Sequence, residues 1–223
     1  MARHAHEDAL SEREFEELVG GAKLLKPPWN LEAMFVVFVG GRLGLRAGEI
    51  AHLRREWVSY ETGMIDIPSH EPCRKGRDGG RCGYCRRQAR RVVANADDDD
   101  LELEDVIDSY WNPKTSASER AIPFEFDDRI VNIVQAFFEF YDAVPFSVAT
   151  VRRRVKMAAE ASEVARRLYP HCLRATAATH HAYNGLGVVS LQAMMGWRKL
   201  ATAEKYLRLS GGRTKRALHE VYD

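Results

Sequence analysis

The sequence contains no long hydrophobic run. Its longest strongly apolar stretch covers residues 34–41, whereas roughly 18 to 20 consecutive apolar residues are needed to span a bilayer. We therefore predict no transmembrane helix and no membrane partner. The first nine residues are polar, with His4, His6, Glu7 and Asp8 among them, and they lack the apolar segment of a secretory signal. These features predict a cytoplasmic protein.

Cysteine is also scarce. Four cysteines in 223 residues are too few for a disulfide scaffold, and three of them, Cys73, Cys82 and Cys85, lie within thirteen residues of one another. Their role must therefore be local.

The content of 45% hydrophobic and 29% charged residues is enough for one good-sized core or two small ones. A disordered or fibrous protein is excluded on this composition.

The chain has almost no net charge. It contains 33 lysines and arginines and 32 acidic residues, giving +1, and this balance taken alone argues against a nucleic-acid partner. The charges are, however, segregated: residues 73–91 contain eight bases and one acid, and residues 97–108 contain eight acids and no base. Setting those eight acids apart leaves a charge of +9 on the rest of the chain. We interpret 97–108 as a solvated acidic loop on a mainly basic protein.

The hydrophobic periodicity predicts a mainly α fold with a small three-stranded antiparallel β-sheet. A Ser11/Glu14 capping box opens the first helix. Further helices are predicted over 31–43, 47–55, 130–141, 147–168, 172–184, 188–195 and 202–209, and strands over 57–60, 64–67 and 120–124.

Four short segments stand in a fixed order along the chain. Arg46 lies in Gly-Leu-Arg-Ala-Gly-Glu-Ile, and Arg174 ends His171-Cys-Leu-Arg. Trp197 follows a glycine 23 residues after Arg174, and Tyr206 comes nine residues after Trp197. Each segment alone is a weak signal, but together, in order and spacing, they resemble the tyrosine recombinase (phage integrase) family.

This resemblance implies a tyrosine recombinase catalytic-domain-like fold over residues 11–223, after a tail at 1–10. A cysteine-rich insertion at 69–91 and the acidic loop at 97–108 interrupt it. Members of the family usually also have an N-terminal core-binding domain. Only about ten residues precede the first helix here, so we expect that domain to be absent, either because the chain is part of a longer protein or because it is a naturally short integrase.

The resemblance also implies a reaction, the cutting and rejoining of DNA strands through a 3′-phosphotyrosyl intermediate. Tyr206 is the expected nucleophile, because a phenolic oxygen can hold a covalent phosphoryl group. Arg46 and Arg174 are expected to bind the non-bridging oxygens, since guanidinium groups match that geometry. His171 and Trp197 match two further phosphate-contacting positions, and Trp197 replaces the more frequent histidine. Lys114 resembles the lysine that protonates the leaving oxygen.

No nucleotide cofactor is expected for catalysis, because the phosphotyrosine conserves the bond energy. Double-stranded DNA is the predicted partner, and the family implies a homo-oligomer, a dimer or tetramer, on that DNA. Phosphate contacts outside the active site are expected from a set of arginines and one lysine. These are Arg42, Arg54, Arg55, Arg152, Arg153, Arg154, Lys156, Arg166, Arg167 and Arg198.

The cysteine segment has the spacing of a structural zinc site. His70, Cys73, Cys82 and Cys85 form a His-x2-Cys-x8-Cys-x2-Cys pattern, which suits four tetrahedral ligands. We predict a Cys3His zinc module inserted in the sheet. The alternatives are three reduced surface cysteines or a redox pair of Cys82 and Cys85. Cys172, which lies between apolar neighbours, is predicted to be a small buried side chain.

Two other functions remain open at this point. A type IB topoisomerase uses nearly the same chemistry, but acts as a monomer without site preference. A zinc-stabilised DNA-binding protein without catalysis is the third possibility.

Overall fold

The computed structural model of the protein describes residues 8–69, 71–96, 101–108, 119–208 and 222. The α helices are, in chain order, α1 (Glu12–Lys23), α2 (Trp29–Gly41), α3 (Ala47–His52), α4 (Gly83–Val93), α5 (Leu103–Ile107), α6 (Asp128–Phe140), α7 (Val148–Glu160), α8 (Pro170–Tyr183), α9 (Val188–Met195) and α10 (Leu200–Arg208). The strands are β1 (Val58–Ser59), β2 (Met64–Ile67) and β3 (Arg120–Pro123), and short 3-10 helices occupy Arg55–Trp57 and Arg77–Gly79. Among the described helices, none combines the length and apolar character that crossing a bilayer requires.

Helix α2 is the centre of the main core. It is apolar nearly all round and its side chains are mostly buried, as expected for a helix with neighbours on several sides. It packs against α1, α6, α7 and α8. The ring of Phe35 stacks on that of Phe137 with centroids 3.8 Å apart, and Phe15 meets Phe38 edge to face. This core fixes the positions of the helices that surround the site described below.

The predicted mainly α fold with a three-stranded antiparallel sheet is confirmed. The strand order is β1-β2-β3, with Val58 opposite Ile65 and Ile65 opposite Ile122. Ile65 and Ile122 are fully buried, so one face of the sheet closes the core. The start of β3 brings Arg120 next to α3 and α9.

Two predicted helices end earlier than the periodicity suggested. The helix predicted over 147–168 stops at Glu160, because the Ser162 hydroxyl donates to the carbonyl of Ala159 and accepts from the amide of Val164, a local alternative to helical bonding. The helix predicted over 47–55 stops at His52. The next residue, Leu53, is extended and its carbonyl accepts a hydrogen bond from the amide of Val144.

The acidic loop, the N-terminal tail and the cysteine-rich insertion, for which no helix or strand was predicted, are partly ordered. Within the predicted acidic loop, residues 103–107 form α5, whose start is capped by Asp105 accepting from the amide of Glu102. Leu103 and Ile107 pack against the main core, and this apolar contact explains the short helix. Likewise Leu10, at the end of the predicted tail, is buried and its amide donates to the Thr176 hydroxyl. The cysteine-rich insertion contains α4, a helix that the sequence reading did not predict.

Candidate active site

Four of the six predicted catalytic residues line one open cleft of about 530 Å³. Arg46 reaches it from the start of α3, His171 and Arg174 from the first turns of α8, and Trp197 from the residue after the glycine that ends α9. Arg46 and Trp197, which are 151 positions apart in sequence, therefore line the same cleft. Lys114, the sixth predicted residue, lies outside the described residues.

A sharp turn before α3 directs Arg46 into the cleft. Gly44 has φ +70°, and a Cβ on it would lie 2.6 Å from the sulfur of Met195, so only glycine fits there. Arg46 is then the residue that caps α3, with its own amide donating to Glu49 at 2.8 Å. Its guanidinium also donates to Glu49, at 2.6 Å. The helix start thus fixes both the backbone and the side chain of Arg46.

Glu49 is a buried carboxylate between two arginines. Its side chain is 1% exposed and accepts two hydrogen bonds from Arg120, at 3.0 and 3.1 Å, in addition to the bonds from Arg46. Burial by itself would raise the pKa of Glu49, but the charges and hydrogen bonds of Arg120, followed by the charges of Arg46 and Arg174, lower that pKa to about 2. Glu49 is therefore ionised at neutral pH and orients Arg46 rather than exchanging protons.

Three arginines bind the successive carbonyl groups that end α9. Arg120 donates to Met194 at 2.7 Å, Arg174 donates to Met195, and Arg46 donates to Gly196 at 2.8 Å. The last carbonyls of a helix have no intrahelical partner and carry partial negative charge, so cationic donors satisfy them well. These three hydrogen bonds fix the end of α9 and therefore the position of Trp197, which is the next residue after Gly196.

Arg174 is the most enclosed of these cations. It is 4% exposed and also donates to the carbonyl of Gly44. Burial, followed by repulsion from Arg46, lowers its pKa to about 9, which still leaves it positively charged at neutral pH. Its guanidinium carbon lies 5.8 Å from the centre of the Trp197 ring. A charge held this firmly is suited to an anionic group such as phosphate.

Tyr206 lies behind Trp197 in a second, smaller core formed by α8, α9 and α10. The two rings are stacked, with centroids 5.1 Å apart and an angle of 14° between their planes. Tyr206 is 7% exposed. Burial raises the pKa of its hydroxyl, and the charge of Arg174 opposes part of that effect. The phenol is therefore protonated in the DNA-free protein.

Two residues of the site were missed by the sequence reading. Arg120 pairs with Glu49 across 71 positions of sequence, and no local pattern predicts such a contact. Tyr84, on α4, lines the cleft and packs over Gly48 of α3, where a Cβ would lie 2.7 Å from the tyrosine hydroxyl. The absence of a side chain at Gly48 is the only local signal of that contact.

A basic groove of about 740 Å³ adjoins the cleft and shares Arg152 and Tyr169 with it. Predicted phosphate contacts that line this groove are Arg152, Arg153, Lys156, Arg166 and Arg167. All of these except Arg166 are exposed, and Arg166 pairs with Glu14.

Two other predicted phosphate contacts face inward. Arg42 is 1% exposed, pairs with Glu12 and lies over the ring of Phe15. Arg154 is buried with Glu32, at 2.5 Å. Their apolar surroundings and carboxylate partners explain why the prediction of DNA contact is wrong for both. The basic face of α7 is therefore narrower than the run of arginines suggested.

The predicted cysteine ligands converge as well. The sulfurs of Cys73, Cys82 and Cys85 form one group, and the nitrogen within 4.8 Å of all three belongs to His52, at the end of α3. His70, the histidine predicted for this position, lies outside the described residues. Cys172 is buried in the main core, as predicted.

Comparisons with known proteins agree with this geometry. The structure is similar to XerA recombinase, with a TM-score of 0.63 and 16% identity over 96% of this chain. It is also similar to the Tn1549 transposon integrase in complex with transposon right end DNA, with a TM-score of 0.62 and 19% identity over 96% of this chain. A third similar structure is XerH site-specific recombinase bound to difH, with a TM-score of 0.57 and 15% identity over 97% of this chain. The chain spans 65%, 65% and 55% of the lengths of those three chains.

These likenesses establish a tyrosine recombinase catalytic-domain fold. A search of curated proteins gives no match. The model of the phage integrase family matches residues 9–212, a span that contains all four motif segments. The chain therefore belongs to the phage integrase family.

Proposed function

We propose that the protein is a site-specific DNA recombinase that cleaves and rejoins strands through a 3′-phosphotyrosyl intermediate. The observation that supports this most directly is the arrangement of Tyr206, Trp197 and Arg174. The Tyr206 ring stacks on the Trp197 indole, which lines the cleft, and the guanidinium carbon of the buried Arg174 lies 5.8 Å from the centre of that indole ring. Nucleophile and phosphate ligand are thus held by one packed unit.

The proposed reaction is a transesterification at one DNA phosphate. The Tyr206 oxygen attacks phosphorus, its proton passes to a base, and the P–O5′ bond breaks to leave a 5′-hydroxyl. Arg46 and Arg174 bind the non-bridging oxygens, on which negative charge grows in the transition state. Both arginines are already fixed by Glu49 and the α9 carbonyls, so little reorganisation is needed when the phosphate arrives. Rejoining is the reverse reaction with a 5′-hydroxyl from another strand.

The remaining residues supply protons and hydrogen bonds. His171 is exposed at the cleft and is the candidate base for the tyrosine proton. Trp197 can donate only its indole N–H, so no essential proton passes through that position. Lys114 is proposed, on family resemblance, to protonate the leaving 5′ oxygen.

The proposed partner is double-stranded DNA lying along the cleft and the basic groove. Strand exchange between two duplexes breaks four strands, and each chain offers one Tyr206. A tetramer on paired DNA sites is therefore the assembly that we propose. Action on DNA inside the cell is consistent with the predicted cytoplasmic location.

Neutralising the groove is expected to weaken DNA binding in a salt-dependent way. The double substitution Arg152→Gln and Arg153→Gln should flatten the plot of log affinity against log salt by about two units, because each phosphate contact contributes about 0.9. Affinity is measured by fluorescence anisotropy at several salt concentrations.

The matched control for this measurement is Arg13→Gln with Arg129→Gln. It removes the same charge from residues that line neither the cleft nor the groove and that pair with Glu17 and Asp127. Equal slopes for both double variants would contradict the proposed DNA path.

The proposed function is tested by trapping the intermediate. Nicked duplexes containing a randomised segment are incubated with the protein, because a nick near the cut lets a short strand diffuse away and prevents rejoining. Adducts that survive denaturant are sequenced and their peptides are mapped by mass spectrometry. We expect one enriched DNA sequence and a nucleotide on Tyr206.

Other outcomes separate the alternatives. Adducts without sequence enrichment, together with relaxation of supercoiled plasmid, would indicate a topoisomerase. DNA binding without any adduct would indicate a non-catalytic DNA-binding protein.

A further inference from the structure

We propose that His52, Cys73, Cys82 and Cys85 bind one structural Zn²⁺ ion, and that this site holds the cysteine-rich insertion against the helix that bears Arg46. The Nε2 atom of His52 lies 3.6, 3.5 and 3.3 Å from the sulfurs of Cys73, Cys82 and Cys85. The ligand atoms of Cys82 and Cys85, which are three residues apart, thus form one compact group with those of His52 and Cys73.

These distances are those of a tetrahedral metal site. Zinc bonds of about 2.0 to 2.1 Å to nitrogen and 2.3 Å to sulfur place a nitrogen and a sulfur ligand roughly 3.5 Å apart at tetrahedral angles. Hydrogen bonding does not account for the group, because Nε2 offers a single proton or a single lone pair and cannot bond three sulfurs at once. Three soft thiolates and one imidazole, without a carboxylate, favour zinc over magnesium, calcium or manganese.

The surroundings of the site prepare it for a metal. The Nδ1 of His52 lies 2.8 Å from the carbonyl of Gly48. Donation to that carbonyl leaves the Nε2 lone pair directed at the cysteines, which is the usual support for a metal-binding histidine. Arg81 donates to the carbonyl of Cys73 at 2.7 Å.

Lys75 balances the charge of the site. Three thiolates and Zn²⁺ would carry a net charge of −1, and Lys75, two residues after Cys73, places a positive charge near the three sulfurs. The same ammonium donates to the carbonyls of Ala51, Val144 and Phe146, so it also connects the insertion to the body of the protein. One cation thus matches the single negative charge of the metal site.

The site links the insertion to the catalytic cleft through α3. This helix has six residues, with Arg46 as its cap and His52 as its last residue. Cys82 precedes α4 and Cys85 lies in its first turn, and Tyr84 between them packs on Gly48 and lines the cleft. The ion would therefore fix α4 and its exposed arginines beside the cleft. These are Arg86, Arg87, Arg90 and Arg91.

Metal content tests the proposal directly. The protein is purified without added zinc and measured by elemental analysis and native mass spectrometry, with about one Zn per chain expected. His52→Ala and Cys85→Ser should lose the metal. His70→Ala and Cys172→Ala should keep it, and these serve as matched controls for residue type. Cobalt substitution of the wild type should give the spectrum of a tetrahedral ion with three thiolates, a readout that needs no variant to fold.

Each alternative gives a different result. Metal-free wild-type protein, or protein containing iron instead of zinc, would overturn the proposal. Loss of zinc in His70→Ala but not in His52→Ala would overturn the assignment of His52. Two free thiols per denatured chain, instead of four, would indicate a disulfide.

Removal of the metal is expected to change stability and cleavage together. A strong chelator should lower the unfolding temperature, because binding free energy contributes to folding, and should reduce adduct formation by loosening α3. The effect on adduct formation rests on the proposed function, whereas metal content and unfolding temperature do not. An unfolding temperature unchanged after complete zinc removal would contradict the structural role.

Discussion

Replacing Tyr206 with phenylalanine is expected to abolish the covalent protein–DNA adduct while leaving the fold and the DNA affinity nearly unchanged. Phenylalanine keeps the ring that stacks on Trp197 and fills the small core of α8, α9 and α10. It removes only the oxygen that we propose as the nucleophile. Loss of a catalytic nucleophile lowers rates by roughly four to six orders of magnitude, so adduct formation should fall below detection.

The matched control for this prediction is Tyr183→Phe. Tyr183 is at the end of α8 and is 52% exposed, so its substitution should leave adduct formation at the wild-type level. Circular dichroism and anisotropy measurements establish that both variants fold and bind DNA. An adduct that persists in Tyr206→Phe, or disappears in Tyr183→Phe, would assign the nucleophile to another residue.

The residues of the motif that line the cleft could be predicted from the sequence because they belong to short local segments. Arg46 and Glu49 are three positions apart, and so are His171 and Arg174. This is the spacing that places two side chains on the same face of a helix. The Glu49–Arg120 pair could not be predicted in this way. It joins a helix to a strand on the other side of the cysteine-rich and acidic segments, and only the folded sheet brings the two residues together.

The cysteine cluster shows the same limit. The three cysteines are close in sequence and were predicted as ligands from their spacing alone. The spacing predicts His70 as the fourth ligand, and this residue lies outside the described part of the chain. Among the described residues, the histidine beside the sulfurs is His52, 21 positions before Cys73. Strands β1 and β2 separate His52 from Cys73 along the chain, so no local spacing predicts this contact.

The buried arginines illustrate a third limit. Arg154 belongs to the same basic run as Arg152 and Arg153, and Arg42 follows the apolar helix α2, yet charge alone predicts the same role for all four. Burial separates them: Arg42 and Arg154 each have a carboxylate partner and lie over an aromatic ring. Which face of a helix is covered depends on the neighbouring helices, and a charge pattern alone does not contain that information.

Replacing Glu49 with glutamine is expected to cost about 3 to 5 kcal/mol of unfolding free energy, because it leaves the buried Arg120 and the partly buried Arg46 without their carboxylate. Arg120 and Arg46 would lose this ionic partner and would keep their bonds to the carbonyls of Met194 and Gly196. For a domain of this size the loss corresponds to a fall of about 10 °C in the unfolding temperature. The control is Glu160→Gln, which breaks an exposed pair with Lys156 and should cost less than about 1 kcal/mol.

The destabilisation by Glu49→Gln should also depend on pH, which distinguishes a lost charge from lost packing. The pKa of Glu49 is about 2 in the folded protein and near 4.3 in an unfolded chain. Because the folded value is the lower one, the ionised carboxylate stabilises the fold above the unfolded pKa, and this stabilisation is lost as pH falls from about 4.3 towards 2. The linked free energy is on the order of 3 kcal/mol.

The unfolding free energies of wild type and Glu49→Gln, measured by urea titration, should therefore differ by a constant amount at neutral pH and become equal in acid. A difference that stays the same down to pH 2 would show that Glu49 acts through its shape and not through its charge.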